Sequence, residues 1–315
     1  MEKENPKKVY HNEINKKPII KMLKKVKLKE KVVKSTNQKR AFGKALQNLP
    51  KEDQDNIYTR PSDSIEEYNA DLIQNFKQIL NTEKKLENCS SEYLIDIYEF
   101  MSKSINKFII KIDYLSFQTE INEEMRKVLI DWLIDLKHTY SFSHDSLFSS
   151  VSIIDRFLSM CFIPRDKLQL LGITALLICS KFLDIHPLSV NISAELCNEI
   201  YTSNEILRME ELILKTISFN IFIPNSYNFY EIHSFINNLS ISEHNKGLHY
   251  LYLTLLEYSF TQINPETISH SIIIQLIDKF QNEKMNSLGK FNFKILDDIT
   301  KTSQLKAISN MFPEY

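Results

Sequence analysis

Four ionisable residues stand where helical spacing of apolar neighbours would favour a hydrocarbon: Arg126, Asp155, Lys181 and Glu210. Arg126 sits beside the run Met125, Val128, Leu129, Trp132, Leu133 and Leu136, facing Leu129, Ile130 and Leu133. Asp155 lies between Val151 and Leu158, on the apolar side of the next predicted helix. A charge in such a place needs an opposite charge close by. Two consecutive helices joined by a short turn bring Arg126 and Asp155 together, so this structural ion pair is predicted to lock them. Lys181 ends the most apolar helix of the chain, and Glu210 falls among Ile206, Leu207, Ile213 and Leu214. On spacing alone, that pair is either an ion bridge inside the fold or a polar pair at a functional surface. This is the chemistry of pairing rather than of turnover. There is no glycine-rich phosphate loop, no His-Glu-x-x-His and no Gly-x-Ser-x-Gly, and the eight histidines are scattered without metal-ligand spacing. Neither an enzyme nor a cofactor nor a metal site is expected.

Elements must position these residues, and composition says of what kind. With 43% hydrophobic residues, only four glycines and little strand-like alternation, the 315-residue chain is predicted to be all-helical. Residues 1 to about 60 are rich in Lys and Asn and poor in periodic apolar positions, and are expected to be mostly disordered. Through Lys51 the chain carries sixteen Lys and Arg against four acids, so the remainder is acidic. A net charge of -1 argues against bulk nucleic-acid binding. No apolar run approaches ~20 residues and no leader-like segment opens the chain, so neither a membrane span nor a signal peptide is expected. The four cysteines, Cys89, Cys161, Cys179 and Cys197, form no Cys-x-x-Cys pair and read as reduced thiols of a cytosolic or nuclear protein.

The helical pattern sharpens after residue 88. A weak helix is predicted over residues 64 to 88 and a short amphipathic one over Ser90 to Met101, carrying Tyr93, Leu94, Ile97 and Phe100. Five clearer helices follow: Asn122 to Thr139, one starting after Ser143 and running to Met160, one from Pro164 to Phe182, Ser193 to Tyr201 with Ser193 as cap, and Asn204 to Ser218. The third is apolar nearly all round and belongs in the centre, with Gly172, Ala175 and Ser180 permitting close crossings. Beyond Pro224 the pattern repeats loosely, with helices predicted at Tyr227 to Leu239, Ser242 to Phe260, Pro265 to Phe280 and two short ones after Phe291.

The order and spacing of several motifs resemble a known family. Met-Arg-x-x-Leu-x-Asp-Trp-Leu at residues 125 to 133, Asp155-Arg156-Phe157-Leu158, Lys167-Leu168-Gln169-Leu170-Leu171-Gly172, Cys179-Ser180-Lys181-Phe182 and Leu207-Arg208-Met209-Glu210 are similar to the cyclin box of A- and B-type mitotic cyclins. The resemblance is strong from residue 92 to 223 and weak over the last ninety or so residues. It implies two five-helix cyclin boxes in tandem after the basic tail, the second degenerate and shortened. The corresponding division is a regulatory tail over 1–88, an N-terminal box with its leading helix over 89–223, and a C-terminal cyclin-like box over 224–315.

The resemblance also implies roles. In mitotic cyclins the residues matching Lys181 and Glu210 hydrogen-bond the main chain of a partner cyclin-dependent kinase near its C helix. Phe182, Ile185, Leu214, Phe219 and Ile221 match an apolar surface that packs on that helix, although any one of them read alone is equally a core residue. Tyr93, Ile97 and Phe100 match places where a leading helix touches the kinase, and read alone are equally the seam docking that helix on the first box. The family usually has two acids after Ser-Lys-Phe; here Leu183 precedes Asp184, which leaves Asp184 alone for contacts to the kinase activation segment. Met125, Val128, Leu129, Trp132, Asp135, Arg165 and Gln169 match a shallow groove for Arg-x-Leu motifs of substrates or inhibitors, with Val128 for Ile and Asp135 for Glu as conservative changes. The implied function is a non-enzymatic subunit that activates the kinase and recruits substrates in G2/M control; the alternative is a cyclin-fold adaptor of the transcriptional type.

In the tail, Lys3-Glu4-Asn5 resembles a degradation signal read by the anaphase-promoting complex, and Arg40 to Asn48 resembles a destruction box, with Gly43 where Leu is usual. Lys21 to Lys34 reads either as a nuclear-import signal or as a solvated, self-repelling stretch. Residence in nucleus and cytoplasm is the expectation. No Ser or Thr precedes a Pro, so the chain offers no minimal proline-directed phosphorylation site.

Overall fold

Most helices open on a side chain that accepts one of the orphaned N–H groups of the first turn. Asn122, Ser143, Ser189, Thr202, Asn225 and Ser240 all do so. At Thr202, Asn225 and Ser240 a side chain three residues on returns the bond to the cap backbone, completing a capping box. The structure is a computed structural model and describes residues 93–277 and 311–312. The helices are α1 (Leu94–Ile105), α2 (Glu123–Tyr140), α3 (His144–Met160), α4 (Leu168–Leu183), α5 (Val190–Leu196), α6 (Ser203–Thr216), α7 (Ser226–Ile236), α8 (Ile241–Leu256) and α9 (Pro265–Ile277). Three short 3₁₀ turns, Tyr114–Ser116, Arg165–Lys167 and Tyr258–Gln262, join them. No strand occurs among the described residues.

Helix α4 is buried along nearly its whole length, from Leu168 to Ser180, and α2, α3, α5 and α6 surround it. Its glycine has a use. A Cβ on Gly172 would come within 2.7 Å of Leu129 Cδ1, so α2 crosses α4 at this point only because no side chain intervenes. This is the five-helix arrangement of the cyclin fold. Helices α7, α8 and α9 pack on one another, with α7 also against α3 and α8 against α2.

Four predicted helices need corrected boundaries. The fifth helix element starts at Val190, not Ser193: Ser189 is the cap, while Ser193 is buried in the helix and donates to the Ser189 carbonyl at 2.8 Å. Left-handed backbone at Asn198 and Glu199 ends that helix before Tyr201. A 3₁₀ turn replaces the first turn predicted after Pro164. Helix α8 stops at Leu256, and Tyr258–Gln262 forms a separate turn. The leading helix spans Leu94–Ile105 rather than Ser90 to Met101. The helices predicted over 64 to 88 and after Phe291, Cys89 and the two tail motifs lie outside the described residues, apart from Met311 and Phe312.

The leading helix does not dock on the first box through Tyr93, Ile97 and Phe100, one of the two readings that the sequence left open. Its buried seam is Leu94, Tyr98, Met101 and Ile105, which packs on Phe229, Ile232 and Ile236 of α7 together with Ile223. Tyr98 donates to Glu266 at 2.5 Å and Ser102 donates to the other carboxylate oxygen at 2.7 Å, fastening α1 to the start of α9. The leading helix thus rests on α7 and the start of α9.

Candidate partner-binding site

Lys181 comes from the last turn of α4 and Glu210 from the middle of α6, and their side chains meet at 2.6 Å. The pair is at the surface: the lysine side chain is 41% exposed and the glutamate 15%. Helix α6 buries Ile206, Met209 and Ile213, so Glu210 lies on the rim of the apolar stripe, not in its middle. Leu207, one turn before it, is exposed. This resolves the two readings of the pair. It is an ion bridge, and it is a bridge that solvent or another chain can reach.

Large apolar side chains stand uncovered beside it. Phe182, next to Lys181, is 54% exposed, Ile185 is 92% exposed and Phe219 is 64% exposed. Leu212 and Phe222 are also exposed and were not singled out from sequence, because a Leu on an amphipathic helix reads as core. Leu214 and Ile221 are half-buried and pack against the core beneath. Phe219 and Ser218 both have left-handed backbone, with φ of 58° and 52°. A bulky aromatic in that region is strained and persists only where neighbours hold it. Here Phe219 N–H donates to Leu214 O at 2.8 Å, and the guanidinium of Arg156 donates to Asn220 O at 2.8 Å. The strained turn projects the phenyl ring into solvent.

Asp184 is turned inward, against the sequence reading of it as a partner-facing acid. Its Oδ1 accepts the Ser143 N–H at 3.0 Å, at the start of α3, and its Oδ2 is buried without a hydrogen-bond partner among the described residues. It also stands near Lys137, whose pKa burial pushes down to about 8 while Asp184 pulls it back up.

Tyr93, Ile97 and Phe100 are all exposed and follow one face of α1. Because Leu94, Tyr98, Met101 and Ile105 form the docking seam, the seam reading of the first three residues fails and their face is left uncovered.

The seven groove residues divide. Val128, Trp132, Asp135 and Arg165 are half-exposed. Met125, Leu129 and Gln169 are sealed in the core, so the wide groove inferred from their spacing narrows to a strip along α2. Leu129 is covered because it fills the gap above Gly172. Gln169 keeps an Oε1 without a hydrogen-bond partner among the described residues, directly under this region. Burial raises the pKa of Asp135, and His138 opposes that rise.

Arg126 and Asp155 form a bidentate pair, Nε to Oδ1 and Nη2 to Oδ2, each at 2.7 Å. Burial disfavours the guanidinium charge, but the Asp155 carboxylate and Tyr114 outweigh this and raise the Arg126 pKa above its ordinary value. Two partners were not legible from the helix pattern. Tyr114 donates to Asp155 Oδ1 at 2.6 Å, and Arg126 Nη1 donates to Leu255 O at 2.9 Å. The pair therefore ties α2 to α3 and also to the end of α8. Among the described residues no cluster of His, Cys, Asp and Glu has a metal-binding arrangement, and no helix is long and apolar enough to cross a membrane. Cys161, Cys179 and Cys197 are free thiols.

Comparison with known proteins gives this geometry its context. Residues 96–222 match the family model of the cyclin N-terminal domain. Over 186 residues the chain is 34% identical to Cyclin-B2-1 of Oryza sativa subsp. japonica, covering 58% of this chain and 44% of that protein. A G2/mitotic-specific cyclin-A of Hydra viridissima is 40% identical over 147 residues, covering 47% and 35% respectively. A G2/mitotic-specific cyclin-B of Spisula solidissima is 33% identical over 208 residues, covering 66% and 48%. The chain thus spans less than half the length of these three relatives. Among solved structures, a viral cyclin from herpesvirus saimiri superposes with a TM-score of 0.52 at 19% identity, covering 70% of this chain and 97% of that one, which speaks for the fold. Helix order, the central α4 and these matches agree: residues 96–222 form a cyclin N-terminal domain, and the chain is similar to A- and B-type mitotic cyclins.

Proposed function

We propose that this chain is a regulatory subunit that binds and activates a cyclin-dependent Ser/Thr protein kinase in the G2/M part of the cell cycle. The observation that carries the reading is the solvent-facing Lys181–Glu210 pair beside exposed Phe182, Ile185 and Phe219. An apolar wall edged by an ammonium and a carboxylate suits an amphipathic helix whose terminal backbone groups need partners. Holding the kinase C helix inward lets its glutamate pair with the ATP-binding lysine. The subunit runs no reaction; it shifts a two-state equilibrium by binding the active state more tightly. The exposed Tyr93, Ile97 and Phe100 face of α1 extends the same contact.

Two further parts of the proposal rest on the same family likeness. Substrates or inhibitors bearing Arg-x-Leu dock along Val128, Trp132 and Asp135, where an acid beside an apolar strip suits a basic residue two before a leucine. Lys3, Glu4 and Asn5 mark the protein for the anaphase-promoting complex, and the protein works in nucleus and cytoplasm.

The test is capture of the kinase from a mitotic extract, with the bound chain identified by mass spectrometry. Lys181→Ala with Glu210→Ala is expected to abolish capture while leaving the helical ellipticity unchanged. Retained capture and activation by the double variant would sink the proposal.

A further inference from the structure

A cavity of about 110 Å³ lies where α1, α3 and the later three helices meet. Its walls differ in character. Ile105, Ile223, Phe260, Ile263 and Ile268 make one side apolar. The lining also carries Arg156, Ser152 and Ser226, and the Arg126–Asp155 pair. That pair is neutral as a unit, so Arg156 sets the charge of the space.

Arg156 is only 7% exposed. Among the described residues no carboxylate lies within ion-pair distance of it. Its guanidinium rests over the Phe108 ring at 5.4 Å and gives one hydrogen bond, to Asn220 O. A guanidinium has five donors, and the Asn220 carbonyl takes one of them; the other nitrogens are not sealed away from solvent and are open to a ligand. Burial lowers its pKa to about 10, so it keeps its charge at neutral pH. The largely buried guanidinium has no counter-charge among the described residues, and an anion in the cavity would supply one. Two other observations favour an anion there. Ser226 opens α7, an 11-residue helix, so the positive end of that helix faces the same space. The hydroxyls of Ser152 and Ser226 make no hydrogen bond among the described residues and are available as donors.

We infer that this cavity is a binding site for a small monocarboxylate with a short aliphatic stem, its carboxylate on Arg156 and the Ser152 and Ser226 hydroxyls and its stem against Ile105, Ile223 and Ile268. The apolar half excludes a bare phosphate or sulfate, which would be left facing hydrocarbon on one side. The volume suits a stem of about four to six carbons, judged against a cavity of ~150 Å³ that takes benzene. The site lies apart from the kinase-facing wall and its existence does not depend on kinase binding. Ligand and wall share one group, since Arg156 also holds the turn that presents Phe219.

The probe is sodium valerate, added to the full chain and followed by thermal unfolding. A saturating rise in Tm of about 3 °C at ten times the dissociation constant is expected. Valeramide, equal in shape but uncharged, is expected to give no rise, and acetate, charged but without the stem, less than a third of it. Ile268→Phe fills the apolar half and leaves Arg156 in place; it should abolish the shift, as should Arg156→Met. If Arg156→Met does not fold, the valerate–valeramide comparison and Ile268→Phe still decide. Equal shifts from valerate and valeramide, a shift that survives in Ile268→Phe, or no shift up to 10 mM on the order of a weak site's range would each overturn the inference.

Discussion

Tyr98 and Glu266, 168 positions apart in the chain, are joined by a 2.5 Å hydrogen bond from the tyrosine hydroxyl to the carboxylate. The same carboxylate accepts from Ser102, and the ring of Tyr98 lies edge-on to Phe229 at 5.9 Å. One residue therefore supplies both the polar and the apolar half of the joint between the leading helix and the later helices. Hydrogen bonds to a charged acceptor contribute about 1.5–3 kcal/mol. Tyr98→Phe keeps the packing and removes the bond. Amide exchange is expected to speed up across Leu94–Ile105 by at least ten-fold with little change in α4, and equal exchange in both proteins would show that the clamp is not what holds α1.

The buried Arg126–Asp155 pair sets a second expectation. Arg126→Met leaves the Asp155 carboxylate buried with only the Tyr114 hydroxyl, and is expected to lower unfolding stability by about 3–5 kcal/mol in urea. Arg126→Met with Asp155→Leu removes both charges and should lose less than the single change. A double variant as unstable as the sum of its parts would mean that packing at Leu255, not the charge, makes the site sensitive.

Acid should loosen the joint between α1 and α9. His233 is fully buried, 3.0 Å from Ser269 Oγ and 3.3 Å from the Tyr98 hydroxyl. Burial, helped by the neighbouring His270, lowers its pKa to about 3. The unfolded chain takes up a proton below about pH 6.5 while the folded chain does not, so stability is full above that pH and falls as pH drops from about 6.5 toward 3. At pH 5 the loss from this residue is about 2 kcal/mol. Urea midpoints measured between pH 7.5 and 5 should decline, and His233→Gln should flatten the decline. An identical slope in the variant would assign the effect to other histidines.

Substitution of Trp132 tests the proposed docking strip apart from the proposed kinase contact. It lies half-exposed on α2, whereas Lys181 lies in the last turn of α4 and Glu210 in the middle of α6. Trp132→Ala is expected to leave kinase binding intact and to lower kcat/KM for an Arg-x-Leu substrate roughly ten-fold, with a motif-free substrate unaffected. Equal losses on both substrates would remove the docking strip from the proposal.

Local chemistry made much of the fold readable. Asn122 and Ser143 each precede an apolar periodic run, and both act as caps. Helix α4 is apolar on nearly all sides, which leaves it only the centre. Arg126 and Asp155 could be paired from the cost of burying either alone. What failed was local too: Ser193 looks like a cap because Ser is a good one, yet Ser189 lies one turn earlier and wins the place. Neither left-handed position of the strained turn, Ser218 or Phe219, is a glycine or asparagine that would announce it; contacts from Leu214 and Arg156 hold it.

By itself the sequence determined the helical class, the identity of the central helix and the charged residues that must be paired, because periodicity and desolvation act over a few residues. The tertiary structure alone decided which apolar residues are left outside. Phe182 and Leu129 both sit on apolar faces, but Leu129 is sealed against Gly172 while Phe182 is left exposed among the described residues. It also decided that Tyr98 rather than Tyr93 faces inward and that the leading helix rests on α7 and α9. Exposure depends on which helices cross and at what distance, and those crossings join residues far apart in the chain.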